Sequence, residues 1–155
     1  MRGRYARWVS NYKAYAKFRG FVTRINDWPY VRRSFLECWA APGFHLFWQV
    51  WNPGISYFVY RWYRWLGGNR YRTTATVGAF LLSGFVHNVL AFPLLWRWSW
   101  TLPVTFFCFG SLTVASRYLG PLLRQDRWPW PLNVGANVGL VLLCFDVGFR
   151  FDRLV

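Results

Sequence analysis

Polar and apolar positions along this chain segregate into three long apolar stretches, separated by short segments rich in arginine and tryptophan. The first runs from Thr73 to Leu95, with no charge and no proline before Pro93. At about 1.5 Å rise per residue it reaches roughly 33 Å, enough to cross a hydrocarbon core of about 30 Å. The second covers residues 102–119, bounded by Trp96-Arg-Trp-Ser-Trp100 and by Gly120-Pro121. Arg117 stands near its end, where a long side chain can reach the interface. The third covers residues 132–149 and is interrupted by Asn133, Asn137 and Asp146. Its Gly135 and Gly139, four apart, predict a small-residue face for close helix packing. Asp146 and Arg150, also four apart, predict an ion pair on one helix face.

The first 72 residues carry a different pattern. In residues 1–33 basic side chains alternate with aromatic ones, and Tyr5, Trp8, Tyr12 and Tyr15 are spaced by three and four. That spacing makes one apolar face of a basic amphipathic helix, suited to a surface of anionic lipid. Asp27-Trp28-Pro29-Tyr30 reads as the turn that ends it. In residues 34–72, Glu37, His45, Gln49, Asn52, Arg61 and Arg64 interrupt an aromatic-rich run broken at Pro42-Gly43 and Pro53-Gly54. No clean span fits there. Two short interfacial or re-entrant helices are expected, over about 43–51 and 54–65, because irregular backbone at membrane depth needs cover from protein or a wet cavity. The fold expected is an all-α integral membrane protein forming a single membrane domain over 1–155. It has about three transmembrane helices (73–95, 102–119, 132–149) plus amphipathic and interfacial helices.

Composition sharpens this picture. The chain is 55% hydrophobic and 23% aromatic, with 19 Lys and Arg against 5 Asp and Glu, a net charge of +14. Basic charge with many aromatics also suits nucleic acid. The long apolar stretches decide for a lipid bilayer instead, and no nucleic-acid partner is expected. Residues 1–72 hold 13 of the basic side chains, the 96–100 loop one and the 117–127 segment three. The positive-inside rule then puts the N-terminal region and the 120–130 loop in the cytoplasm. No apolar h-region of a cleavable signal peptide is present near the start. Cys38, Cys108 and Cys144 have no metal-site spacing and read as small buried hydrophobes; no metal is expected.

The candidate chemistry lies in the first span. His87 is an ionisable residue at membrane depth, a functional hypothesis by default. Ser83 lies one turn before it on the same face. Upstream stands Phe47-Trp48-Gln49-Val50-Trp51-Asn52, then a basic-aromatic run ending in Leu66-Gly67-Gly68-Asn69-Arg70, then Ser83-Gly84-x-x-His87. Over residues 34–95, about 40% of the chain, this series resembles the C-terminal catalytic half of the membrane-bound O-acyltransferase family, in its bacterial polysaccharide-modifying branch. The separation of Asn52 and His87, 87 less 52 or 35 residues, suits the family.

The resemblance implies that His87 takes a proton from an acceptor hydroxyl, which attacks an acyl thioester, with Asn52 acting in the same tunnel. It further implies substrate contacts from Trp48, Trp51, Ser83 and Arg70. The donor would be acyl-CoA or an acyl-carrier thioester, used as a co-substrate with no resident cofactor, and the acceptor a hydroxylated lipid or glycan. A bacterial inner membrane would be the setting. Family members wall their tunnel with more helices than three, so a second copy or a second membrane subunit is an expected partner. The alternative reading is a non-catalytic membrane subunit or scaffold that keeps the fold and binds anionic lipid or a partner protein. For His87 this alternative means a hydrogen bond that glues helices together.

Overall fold

A computed structural model describes Tyr15 and residues 28–155. The described residues contain helices and no strand. In chain order the helices are α1 (Trp28–Trp39), α2 (Phe44–Val50), α3 (Pro53–Trp65), α4 (Arg72–Leu95), α5 (Thr101–Leu122) and α6 (Trp130–Asp152), with a 3₁₀ turn at Gln125–Arg127 before α6. Helices α4, α5 and α6 hold 24, 22 and 23 residues, and each is long and apolar enough to span a membrane. The protein is an integral membrane protein built on these three spans.

Helix α1 departs from the sequence expectation, which placed a chain turn at Asp27–Tyr30. Pro29 takes the second helical position, where a missing N–H costs nothing. Ser34 and Cys38 then form a buried stripe, while Arg32, Arg33 and Glu37 stay exposed. Arg33 Nε and Glu37 Oε1 are 2.7 Å apart across one turn of that outer face. Of the expected N-terminal helix, Tyr5, Trp8 and Tyr12 lie outside the described residues. Tyr15 is buried, with its ring 5.5 Å from that of Tyr57 and 5.2 Å from that of Tyr60, both on α3.

The core is centred on α2. Phe44 and Phe47 are each 1% exposed, and they pack with Cys38 of α1, Phe80 of α4, Phe109 of α5 and Cys144 of α6. The short helix is therefore held inside the bundle by contacts with α1, α3, α5 and α6, and by Trp48 against Phe80 of α4. Gly43 starts it with φ of 121°, a conformation that a side chain would strain. Asn137 of α6 pins the preceding loop, donating through Nδ2 to the carbonyls of Trp39 and Ala41, both at 2.9 Å.

Close helix approach falls elsewhere than the sequence suggested. A Cβ on Gly135 or Gly139 would meet nothing within 4 Å among the described residues, which leave that face of α6 open. The tight crossings use other glycines. A Cβ on Gly84 would lie 2.8 Å from Phe106 Cβ and 2.9 Å from the Leu102 carbonyl, and one on Gly110 would lie 2.9 Å from Val77 Cα. One on Gly148 would collide with Thr105 and Thr101. Between α4, α5 and α6 the absence of a side chain is thus what lets the backbones meet. At the far end, Asp152 accepts from the Trp100 backbone N–H and pairs with Arg97 at 3.6 Å, tying the end of α6 to the 96–100 loop.

Candidate functional site

Helix α4 presents Ser83 and His87 one turn apart. His87 Nδ1 lies 2.7 Å from the Ser83 carbonyl oxygen and 3.5 Å from the Ser83 hydroxyl. A carbonyl only accepts, so Nδ1 carries the proton and donates it. In the neutral ring this leaves the Nε2 lone pair uncommitted. The imidazole rests on Phe106 of α5, ring centroids 4.8 Å apart and planes at 30°. Gly84 is what brings Phe106 so near, since a larger residue there would push α5 away. Ser83 and the adjacent Asn88 are each 2% exposed, and Asn88 Nδ2 is buried with no hydrogen-bond acceptor among the described residues.

Rings continue from this point to the upstream motif. Phe106 contacts Phe109 at 5.4 Å, Phe109 contacts Trp48 at 4.9 Å, and Trp48 contacts Trp51 at 6.4 Å. Trp48 and Trp51 are thereby joined to His87 through α5. Trp48 Nε1 is buried without an acceptor among the described residues, so the ring is held by packing alone.

Asn52 follows Trp51 directly and caps α3. Its Oδ1 accepts from the Ile55 N–H at 3.3 Å, and its backbone sits at φ of 32°, in the left-handed region that asparagine tolerates. Because Oδ1 is occupied, Nδ2 is the group left to donate. No hydrogen bond joins Asn52 to His87. Arg70 stands apart from both. It is exposed in the turn between α3 and α4, its guanidinium 5.3 Å from the Tyr71 ring centre.

The structure thus links Ser83 and His87 to Trp48 and Trp51 only through the intervening rings of Phe106 and Phe109, and leaves Arg70 outside that set. Phe106 and Asn88 are site neighbours that motif reading missed. Asn88 had a weak signal as a second polar residue beside His87, whereas Phe106 had none, since it comes from another helix. A second histidine also gains a partner. The His45 backbone N–H donates to Ser116 Oγ at 3.3 Å, and Nδ1 lies 3.1 Å from the same oxygen. Burial, and then the Arg117 charge, hold this imidazole below its ordinary value. Cys38 donates to the Phe35 carbonyl at 2.9 Å, and burial pushes its thiol up to about 11, which keeps it unreactive.

No family model matches the chain. No solved structure matches it. Among curated proteins it is similar to sterol O-acyltransferase 2 of Mus musculus, 28% identical over 120 residues, which are 73% of this chain and 23% of that protein. The Rattus norvegicus sterol O-acyltransferase 2 is 26% identical over 120 residues, with the same shares. Sterol O-acyltransferase 1 of Rattus norvegicus is 27% identical over 121 residues, 74% of this chain and 22% of that protein. The chain spans less than a quarter of the length of these relatives. This is a distant similarity to membrane-embedded acyltransferases of the membrane-bound O-acyltransferase family, and it supports an acyltransferase-like function at that level.

Proposed function

We propose that this chain carries out membrane O-acyl transfer from a thioester donor to a hydroxyl of a lipid or glycan, with His87 as general base. One observation carries the reading. The Ser83 carbonyl holds the His87 Nδ1 proton, which directs the basic Nε2 lone pair away from the helix's own backbone. In the reaction Nε2 accepts the proton as the acceptor oxygen attacks the thioester carbonyl carbon. The C–O bond forms, the C–S bond breaks, and the leaving thiolate takes the proton back from the imidazolium.

The Asn52 amide N–H, left unused by the helix cap, suits the developing oxyanion and would be worth about 3 kcal/mol if aligned. Trp48, Trp51, Phe106 and Phe109 supply the apolar wall that an acyl chain requires. We assign Arg70 a role at the donor's charged end, since it lies outside the aromatic set. The distribution of basic loops favours a cytoplasmic N-terminal region, and the resemblance implies a bacterial inner membrane as the setting. A second copy or a second membrane subunit completes the enclosure.

The test is acyl transfer by the chain in lipid nanodiscs, using radiolabelled acyl-CoA and a mixed lipid and glycan extract. Wild type should transfer label, and His87→Ala should lose about two to four orders of magnitude, the usual worth of a positioned base. Equal transfer by both would exclude His87 as base. A folded wild type that transfers nothing, even with co-purifying subunits present, would favour the scaffold reading.

A further inference from the structure

Between α2, α4 and α5 lies a cavity of about 400 Å³, lined by His45, Gln49, Arg72, Thr73, Arg117 and Tyr118 among others. Among the described residues its charge is uncompensated. The described acidic side chains are Glu37, paired with Arg33; Asp146, paired with Arg150; Asp152, paired with Arg97; and Asp126. None of them lines the cavity, and neither Arg72 nor Arg117 makes an ion pair among the described residues. Arg117 is half-buried on α5, so its charge leaves bulk water without a carboxylate among the described residues to meet it. A cation in that position calls for an anion. The nearby His45 imidazole is held below its ordinary value by burial first and by the Arg117 charge second.

We propose that this cavity is a binding site for a phosphate ester, gripped by the guanidinium groups of Arg72 and Arg117. Two guanidinium forks supply more donors than one carboxylate can use, and they match the several oxygens of a phosphate. The hydroxyl of Thr73 adds a further donor at the edge. The volume admits more than a bare anion, so the ester's substituent has room. A lipid headgroup and a soluble phosphate ester share the chemistry. The site begins at Arg72, 15 residues before His87, or about 22 Å along the helix axis, so it stands independently of the acyl-transfer reading.

The full chain in a neutral maltoside detergent is titrated calorimetrically with dioctanoyl phosphatidic acid, and with dioctanoylglycerol, which lacks the phosphate. Phosphatidic acid should bind at least about tenfold tighter. Arg72→Gln and Arg117→Gln should each weaken it by about tenfold, the usual loss of a charge-assisted contact. Arg61→Gln, an exposed cation outside the cavity, should change it less than about twofold. Arg72 is exposed at the first position of α4, so its variant carries the test if Arg117→Gln fails to fold. Displacement of phosphatidic acid by equimolar inorganic phosphate upholds the site with a soluble ester as source. Resistance to a large excess upholds it with a lipid headgroup as source. Equal binding of the two dioctanoyl lipids, no binding of either, or unchanged affinity in the folded Arg72→Gln variant overturns the proposal.

Discussion

His87 Nδ1 lies 2.7 Å from the carbonyl oxygen of Ser83, while the Ser83 hydroxyl stands 3.5 Å away. The backbone of the preceding turn, not the serine side chain, orients the imidazole. Ser83→Ala should therefore keep acyl transfer within about tenfold of wild type, a change under about 1.4 kcal/mol. Initial rates beside His87→Ala check this. A Ser83→Ala variant as dead as His87→Ala would make the hydroxyl the orienting group.

Gly84 should be far more sensitive than Gly135 to the same added methyl group. At Gly84 the new Cβ meets the Leu102 carbonyl and Pro103 Cα, backbone that cannot turn aside, and the α4–α5 crossing must open. Gly84→Ala should cost about 1–3 kcal/mol and displace Phe106 from His87. Gly135→Ala meets nothing and should stay within about 0.5 kcal/mol. Unfolding midpoints in detergent decide the pair, and similar losses at both sites would count against the helix arrangement.

Asn137 joins α6 to the loop before α2 with two buried hydrogen bonds. Asn137→Ala strands the Trp39 carbonyl, while the Ala41 carbonyl keeps the Gly43 N–H, and should cost about 1–3 kcal/mol for the group left unsatisfied. Hydrogen exchange over residues 39–44 should quicken with it. Unchanged protection there would mean that the loop is held by Phe44 and Phe47 alone.

The His45 pKa is lowered by burial first and by Arg117 second. The unfolded chain therefore takes up a proton at higher pH than the folded one. Stability should be flat above about 6.5, the ordinary imidazole value, and should fall as pH drops from there toward the folded-state value. His45→Gln should flatten that fall between pH 6.5 and 5, above the carboxylate range. Thermal midpoints of the two proteins across this window provide the check. An unchanged slope in the variant would assign the effect to another group.

Much of the site was legible because helical spacing is a local property. Ser83 and His87 share a face by their separation of four, whereas the capping role of Asn52 emerged only from the structure. Helix α1 was not legible, since a proline near a helix start reads equally well as a turn. The ring beneath His87, the partner of His45 and the anchor of the Trp39 carbonyl come from residues distant in sequence. Ser116 is 71 positions from His45, and Asn137 is 98 from Trp39.

The sequence by itself determined that three spans cross a bilayer, because a chain long and apolar enough to do so has to satisfy its own backbone as helix. It also determined that a histidine stands inside the first of them. Only the tertiary structure decided which glycines touch. Gly84, Gly110 and Gly148 face neighbouring backbones while Gly135 and Gly139 do not, and a four-residue spacing carries no record of which side of the helix its partner will occupy. The same packing sank α2 into the bundle and gathered around one cavity two arginines that make no ion pair among the described residues.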